Sequence, residues 1–200
     1  WLPELPLDRL RRTGDPRLTS GPFAIIAEQK NAWRVTHINK SAQQAGVAIG
    51  LPLADARAIC PDLLSEPADA VRENILLRAL WRWADILSPR ISLDAPDGLL
   101  LDIAGCAHLF GGERDMAENA LQRLSDLTIK SRIGVADTKG AAKALSRFGK
   151  REIEIAEIGK TSEALAALPI AALGLQQSLV TDLARTGLTV IGQLYSQSSG

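Results

Sequence analysis

Cysteine, histidine and aromatic residues are scarce in this chain, and neither sign of charge is in excess. Only two cysteines, Cys60 and Cys106, and two histidines occur in 200 residues. There is no C-x-x-C pair, and Cys106 with His108 would supply only half of a tetrahedral zinc site, so a zinc module and a disulfide framework are both excluded. A reduced, cytoplasmic setting follows as the default. The 23 Lys and Arg balance 23 Asp and Glu. A domain that grips nucleic acid unaided carries a basic excess, because neutralising phosphates supplies most of its affinity, so strong autonomous DNA binding is not expected. Long apolar runs are missing too. The longest, Ala164 to Leu175, is about 12 residues and broken by Pro169, against the ~20 needed for a membrane-spanning helix. No membrane role is expected. No charged-then-apolar leader opens the chain. It begins at Trp1 and closes on Ser198-Ser199-Gly200 after a helical pattern, so it reads as an excised piece of a longer protein.

What is present is a globular composition, 46% hydrophobic, enough to bury a proper core in one or two units. Trp1 to Leu7 alternates apolar residues with prolines and predicts a short edge strand, followed by a short helix from Asp8 to Arg12. Pro22 to Ala27 and Trp33 to Ile38 predict a hairpin across Gln29-Lys30-Asn31. Ser41 to Val47 predicts a helix ended by Gly46, and Leu53 to Cys60 another that stops at Pro61. From Ala70 to Leu87, Val71, Ile75, Leu76, Ala79, Leu80, Trp83, Ile86 and Leu87 recur at helical spacing and predict the longest amphipathic helix, laid over a sheet. Two strands, Ile91 to Leu93 and Leu99 to Ile103, flank the turn Ala95-Pro96-Asp97-Gly98. Helices over Glu113 to Leu127 and Gly140 to Phe148 and strands over Arg132 to Ala136 and Ile153 to Ile155 follow, and beyond Gly159 the pattern is purely helical. The expected fold is α/β (α+β), built on a split β-α-β-β-α-β sheet, which is a common frame and says nothing of function by itself.

Four segments, in this order, resemble the Y-family (translesion) DNA polymerases, and within them the non-catalytic ImuB-type branch. Asn39 to Val47 with Leu53 to Asp62 is similar to the fingers pattern. Ser92-Leu93-Asp94 through Asp97 to Gly105 is similar to the palm hairpin, and Cys106 to Gly112 continues it in the ImuB manner. Arg132 to Leu145 parallels a conserved-type palm segment ending in a lysine-bearing helix. Thr186 to Leu194 resembles the thumb's helix-hairpin-helix. The resemblance implies a palm over 1–12 and 70–159, a small inserted fingers lobe over 13–69, and the start of a helical thumb over 160–200.

It also implies what chemistry to look for. Polymerases of this family hold two magnesium ions between an acidic residue of the first strand and an Asp-Glu pair of the palm hairpin. Here the first strand offers Trp1-Leu2-Pro3-Glu4-Leu5-Pro6, in which only Glu4 is acidic. The hairpin is three residues longer than the pattern between Ser92 and Asp102, so two registers are open: the pair falls on Asp94-Ala95 or on Asp97-Gly98. Both delete the glutamate. The resemblance thus leaves Asp94, Asp97 and Asp102 as vestigial acidic positions, with no catalytic residue, no metal and no cofactor. The family's triphosphate-gripping Tyr and Arg fall at Lys40 and Gln43, and Gln43 has no charge with which to make a bidentate contact. Lys139 matches a phosphate-touching lysine.

Each residue also has a plainer reading. Asp94 and Asp97 suit a turn, Trp33, Trp81 and Trp83 suit partial burial with Trp81 free to reach a partner, and His108 suits a strand end. Arg9, Arg11, Arg12 and Arg17 could form a phosphate-facing edge or simply be solvated. Gly187-Leu188-Thr189 is either a helix C-cap or a turn whose backbone N–H groups approach a DNA phosphate. The expected function is a catalytically inactive adaptor in SOS-induced, error-prone translesion synthesis. Its implied partners are damaged or primer-template DNA, held weakly by this piece, and, in the full-length protein, a sliding clamp, an error-prone replicative-type polymerase and a RecA-like protein. The alternative is an active polymerase whose atypical metal site draws on Glu4, Asp97 and Asp102.

Overall fold

A computed structural model describes residues 1–195; the last five residues of the expected thumb lie outside the described residues. In chain order it contains α1 (Leu5–Arg12), α2 (Arg17–Ser20), β1 (Phe23–Gln29), β2 (Ala32–Ile38), α3 (Lys40–Gln44), α4 (Leu53–Ile59), β3 (Leu64–Pro67), α5 (Ala70–Trp83), β4 (Ile91–Asp94), β5 (Gly98–Leu101), α6 (Glu113–Asp126), β6 (Ile133–Val135), α7 (Lys139–Phe148), β7 (Ile153–Ile155), α8 (Thr161–Ala166), α9 (Gln177–Arg185) and α10 (Gly192–Tyr195). The α/β class is therefore as expected. The sheet is divided differently. Among the described residues three small sheets form, ordered β2-β1-β3, β4-β5 and β6-β7.

The edge strand expected over Trp1–Leu7 is absent. Residues from Leu5 onward already belong to α1, started by Pro6 in its first turn and buried through Leu5, Leu7 and Leu10. Proline fits that position because the first helical N–H groups have no partner within the helix. Trp1 and Leu2 instead join the two strand pairs. Leu2 N donates to the Asp97 carbonyl at 2.8 Å, Trp1 N to the Arg132 carbonyl at 2.9 Å, and Arg132 N to the Trp1 carbonyl at 2.9 Å. A cavity of about 180 Å³ lies between β5 and β6, lined by Leu99, Leu101, Met116, Ile133 and Val135 among others.

The β1–β2 hairpin turns through Lys30 and Asn31, both at positive φ, and β3 adds to β1 in parallel. That third strand has no alternation and ends in Pro67, and no local pattern announces it. Asn39 ties this lobe together. Its buried Oδ1 accepts from Phe23 N and Ala42 N at 3.0 and 2.9 Å, and its Nδ2 donates to the Leu18 and Gly21 carbonyls. Ala24, Ile26, Val35, Val47 and Leu63 form the lobe's own core. A second core joins Leu2, Leu5, Leu77, Leu80 and Ile129, and a third joins Ala144 and Leu145 of α7 to Leu168 and Ile191.

The long helix breaks into a 3-10 turn at Ala84–Ile86. Only part of its apolar pattern is covered. Leu77 and Leu80 are buried, but Val71, Ile75 and Ile86 are 72%, 61% and 51% exposed. Periodicity identified a helix with more apolar surface than the chain buries.

Candidate functional site

β4 and β5 are joined by the turn that carries Asp94 and Asp97, and α7 runs beside it. Thr138 starts α7 by accepting from Ala141 N, which sends Lys143 and Arg147, one turn apart on one helix face, toward the turn. Lys143 Nζ donates to Asp94 Oδ1 at 2.8 Å. Arg147 Nη2 donates to Asp97 Oδ1 at 2.8 Å and to Asp94 Oδ2 at 3.4 Å. Trp1 completes the cluster: its Nε1 donates to Asp97 Oδ2 at 2.8 Å, and the Arg147 guanidinium lies 5.4 Å from the centre of its ring. Two carboxylates and two cations thus neutralise one another in a half-buried setting. Burial alone pushes the Asp94 carboxyl up, but the hydrogen bond and charge of Lys143, and then those of Arg147, outweigh it and hold the group below its usual range.

The sequence reading singled out the acids of this cluster and missed the bases. Lys143 and Arg147 sit four apart in α7, a detectable basic stripe, yet nothing in the sequence aims that stripe at residues some 50 positions earlier. Gly98, the glutamate position in one register, is buried. A Cβ there would lie 3.1 Å from the Asp94 carbonyl oxygen and 3.2 Å from its Oδ2.

The remaining acids do not join this pair. Asp102 is bound at the surface by Arg90 at 3.0 Å and caps Ala104 N. Glu4 takes Lys130 at 2.6 Å and Arg11 at 2.7 Å. Glu4, Asp97 and Asp102 are therefore each held by a different cation. Among the described residues no three His, Cys, Asp or Glu side chains are grouped to hold a metal ion.

Lys139 is exposed at the start of α7. Gly187 has φ +87 after α9, where a side chain would be strained. Leu188 N closes back on the Leu183 carbonyl, and Thr189 N donates to Gln193 Oε1 at 2.7 Å. His108 is exposed in a 3-10 turn, and Trp83 packs into the core. The basic run near the start is not a free edge. Arg9 binds Glu66, Arg17 binds Asp15 and Glu66, Arg11 binds Asp8 and Glu4, and Arg12 donates to the Leu127 carbonyl. Arg9 and Arg17 fasten α1 and α2 to β3, Arg12 fastens α1 to the loop after α6, and Arg11 closes on acids of α1 and the residue before it.

Asp8 in that network is fully buried and accepts from Arg11 Nη1 at 2.5 Å and Lys130 N at 2.9 Å. Burial pushes its carboxyl up to about 6 from 3.8, more than the Lys130 N–H and Arg11 pull it down. The folded chain then binds this proton more tightly than the unfolded chain, so the contribution of Asp8 to stability falls as pH rises from about 4 to about 6. Asp8→Asn removes that slope. Relative to wild type, the variant should gain about 2 kcal/mol between pH 4 and pH 7 in denaturant titrations. An unchanged difference across that range would refute the assignment.

Among the described residues no helix is long and apolar enough to cross a membrane. A family model described as the impB/mucB/samB family matches residues 9–147. Protein ImuB of Caulobacter vibrioides (strain NA1000 / CB15N) is 41% identical over 149 residues, which is 74% of this chain and 32% of that protein. DNA polymerase IV 2 of Mesorhizobium japonicum is 30% identical over 189 residues, 93% of this chain and 44% of that protein. The chain thus spans less than half the length of these two relatives. Among solved structures, the insertion ternary complex of Dbh DNA polymerase is similar with a TM-score of 0.78 at 18% identity, covering 98% of this chain and 59% of that one. DinB from Sulfolobus solfataricus gives 0.73 at 18% identity, with 98% and 58% covered.

Proposed function

Since this chain belongs to the impB/mucB/samB family of Y-family polymerase domains, we propose that it is a catalytically inactive, polymerase-shaped adaptor in SOS-induced, error-prone translesion synthesis. The observation that carries this reading is the state of the palm acids: Asp94 and Asp97 are satisfied by Lys143, Arg147 and Trp1. Magnesium, the metal the fold family implies, does not fit these residues. It takes a near-octahedral oxygen cage, whereas two carboxylates already carrying two cations offer little net charge. Magnesium would also have to compete with Lys143 and Arg147, which already hold both carboxylates. A side chain at position 98 would crowd Asp94, its Cβ 3.1 Å from the Asp94 carbonyl oxygen, so a third carboxylate from the turn would need the hairpin to shift by a few tenths of an ångström.

The parts of the reading that concern DNA rest on Lys139 and on the Gly187-Leu188-Thr189 turn, where a phosphate would take the place of the Gln193 side chain at Thr189 N. In the full-length protein the adaptor would join the sliding clamp, an error-prone replicative-type polymerase and a RecA-like protein on primer-template DNA in the cytoplasm. We place the palm over 1–12 and 70–159, the fingers over 13–69 and the thumb from 160. A second reading, an active polymerase, draws on the kinship with proteins named DNA polymerase IV. Primer extension by the full-length protein separates the two. With magnesium or manganese, no template-dependent incorporation above background is expected, and the Asp94→Ala/Asp97→Ala variant should behave identically; incorporation lost in that variant would overturn the adaptor reading.

A further inference from the structure

We propose that the outer face of α5 is a docking surface for an acidic amphipathic helix of a partner protein. The stripe Val71, Ile75, Arg78 and Arg82 follows spacings of four, three and four, so these side chains stand above one another on one face of the helix. Val71 and Ile75 are 72% and 61% exposed, and Ile86, 51% exposed, prolongs the face. Arg78 and Arg82 are exposed and make no hydrogen bond or ion pair among the described residues. Their neighbours differ: Arg72 binds Asp69 at 3.3 Å and Arg90 binds Asp102 at 3.0 Å. In a chain without net charge, two adjacent unmatched arginines beside two exposed aliphatic residues form a local excess of both positive charge and apolar surface.

The face is rigid before anything binds. Asp69 accepts from Arg72 N, and Glu73 returns a carboxylate to Asp69 N at 3.0 Å, closing a reciprocal cap. Leu77 and Leu80 are buried on the opposite side, and Trp81 Nε1 fastens the flank to the Ile91 carbonyl at 3.1 Å. Docking therefore costs little ordering on this side.

The segregation of chemistry along the helix selects the occupant. The first half of the stripe is aliphatic and the second half cationic, so the matching helix has an apolar half and a half with carboxylates one turn apart. Carboxylates are best accommodated near a helix N-terminus. That sets the partner antiparallel, its acidic N-terminal half over Arg78 and Arg82 and its apolar C-terminal half over Val71 and Ile75. A nucleic acid backbone has nothing apolar to offer Val71 and Ile75. An anionic bilayer is a flat surface that would have to accommodate Asp85, exposed in the 3-10 turn after α5, whereas a helix carries its carboxylates only over Arg78 and Arg82.

The test uses this chain and a fluorescent, alanine-rich peptide of about 20 residues, long enough to be helical. The peptide carries two glutamates four apart in its N-terminal half and two leucines four apart in its C-terminal half. Saturable binding by anisotropy is expected, weakened about tenfold in Arg78→Glu/Arg82→Glu and also weakened in Ile75→Ser. Both variants should keep the wild-type melting temperature and circular dichroism, since the altered side chains are exposed. No saturation up to about 1 mM, equal binding by the variants, or a preference for duplex DNA or phosphatidylserine vesicles that the arginine variant abolishes, would overturn the proposal.

Discussion

Gly134→Ala is expected to destabilise the chain by about 3 kcal/mol, the upper range for overpacking a tight contact. A Cβ at this position of β6 would lie 2.2 Å from the Ala142 carbonyl oxygen and 2.7 Å from Ser146 N. Both atoms are backbone, so no rotamer change relieves the overlap, and α7 must lift away from the strand. Lifting it also withdraws Ala144 and Leu145 from the core they share with Leu168 and Ile191. Because Lys143 and Arg147 ride on the same helix, the variant should loosen the palm cluster as well. Urea unfolding monitored by tryptophan fluorescence measures the change; a loss under about 1 kcal/mol would mean that the close approach does not exist.

Arg147→Ala is the second large expected effect. The substitution strips a cation from Asp97 and Asp94 and from the face of Trp1. Removing one partner of a fully buried pair costs about 3–5 kcal/mol; these side chains are 17–28% exposed, so about 2 kcal/mol is the expected loss, including a cation–π share. Asp97→Asn in the same chain should recover about half of it, because the stranded charge is gone. The pH dependence has a defined sign. The Asp94 carboxyl is held below its ordinary 3.8, so the stabilisation it draws from Lys143 and Arg147 is present above that value and lost as pH falls through the lower folded value. The gap between wild type and Arg147→Ala should therefore narrow below about pH 4. A constant gap would assign the loss to packing of the arginine stem.

Much of the architecture was legible because it is local. The hairpin across Lys30 and Asn31, the helices from Leu53, Glu113 and Lys139, and the β4–β5 turn all announce themselves through apolar period, caps and turn residues within a few positions. Trp1–Leu7 was misread because alternating apolar residues and prolines suit an edge strand as well as a helix start. What decided it was burial of Leu5, Leu7 and Leu10, a property of the neighbours they meet. β3 was missed for the converse reason: Leu64–Pro67 has little pattern of its own and becomes a strand by pairing with β1. At the site, Asp94 and Asp97 were singled out by their resemblance to a hairpin motif. Their counter-ions were not, since Lys143 and Arg147 look like ordinary surface bases until the fold brings them within hydrogen-bonding distance of Asp94 and Asp97.

By itself the sequence determined the inventory: a charge-balanced α/β chain with two cysteines, family membership through ordered motifs, and a hairpin that offers Asp94 and Asp97 but no glutamate. These follow from residue type and short-range spacing, which the chain carries whether or not it is folded. Only the tertiary structure decided which charges cancel, which arginines are left over, and which apolar residues of α5 face outward. Electrostatic pairing depends on distance in space, and contacts such as Lys143 to Asp94 join positions that no local pattern relates.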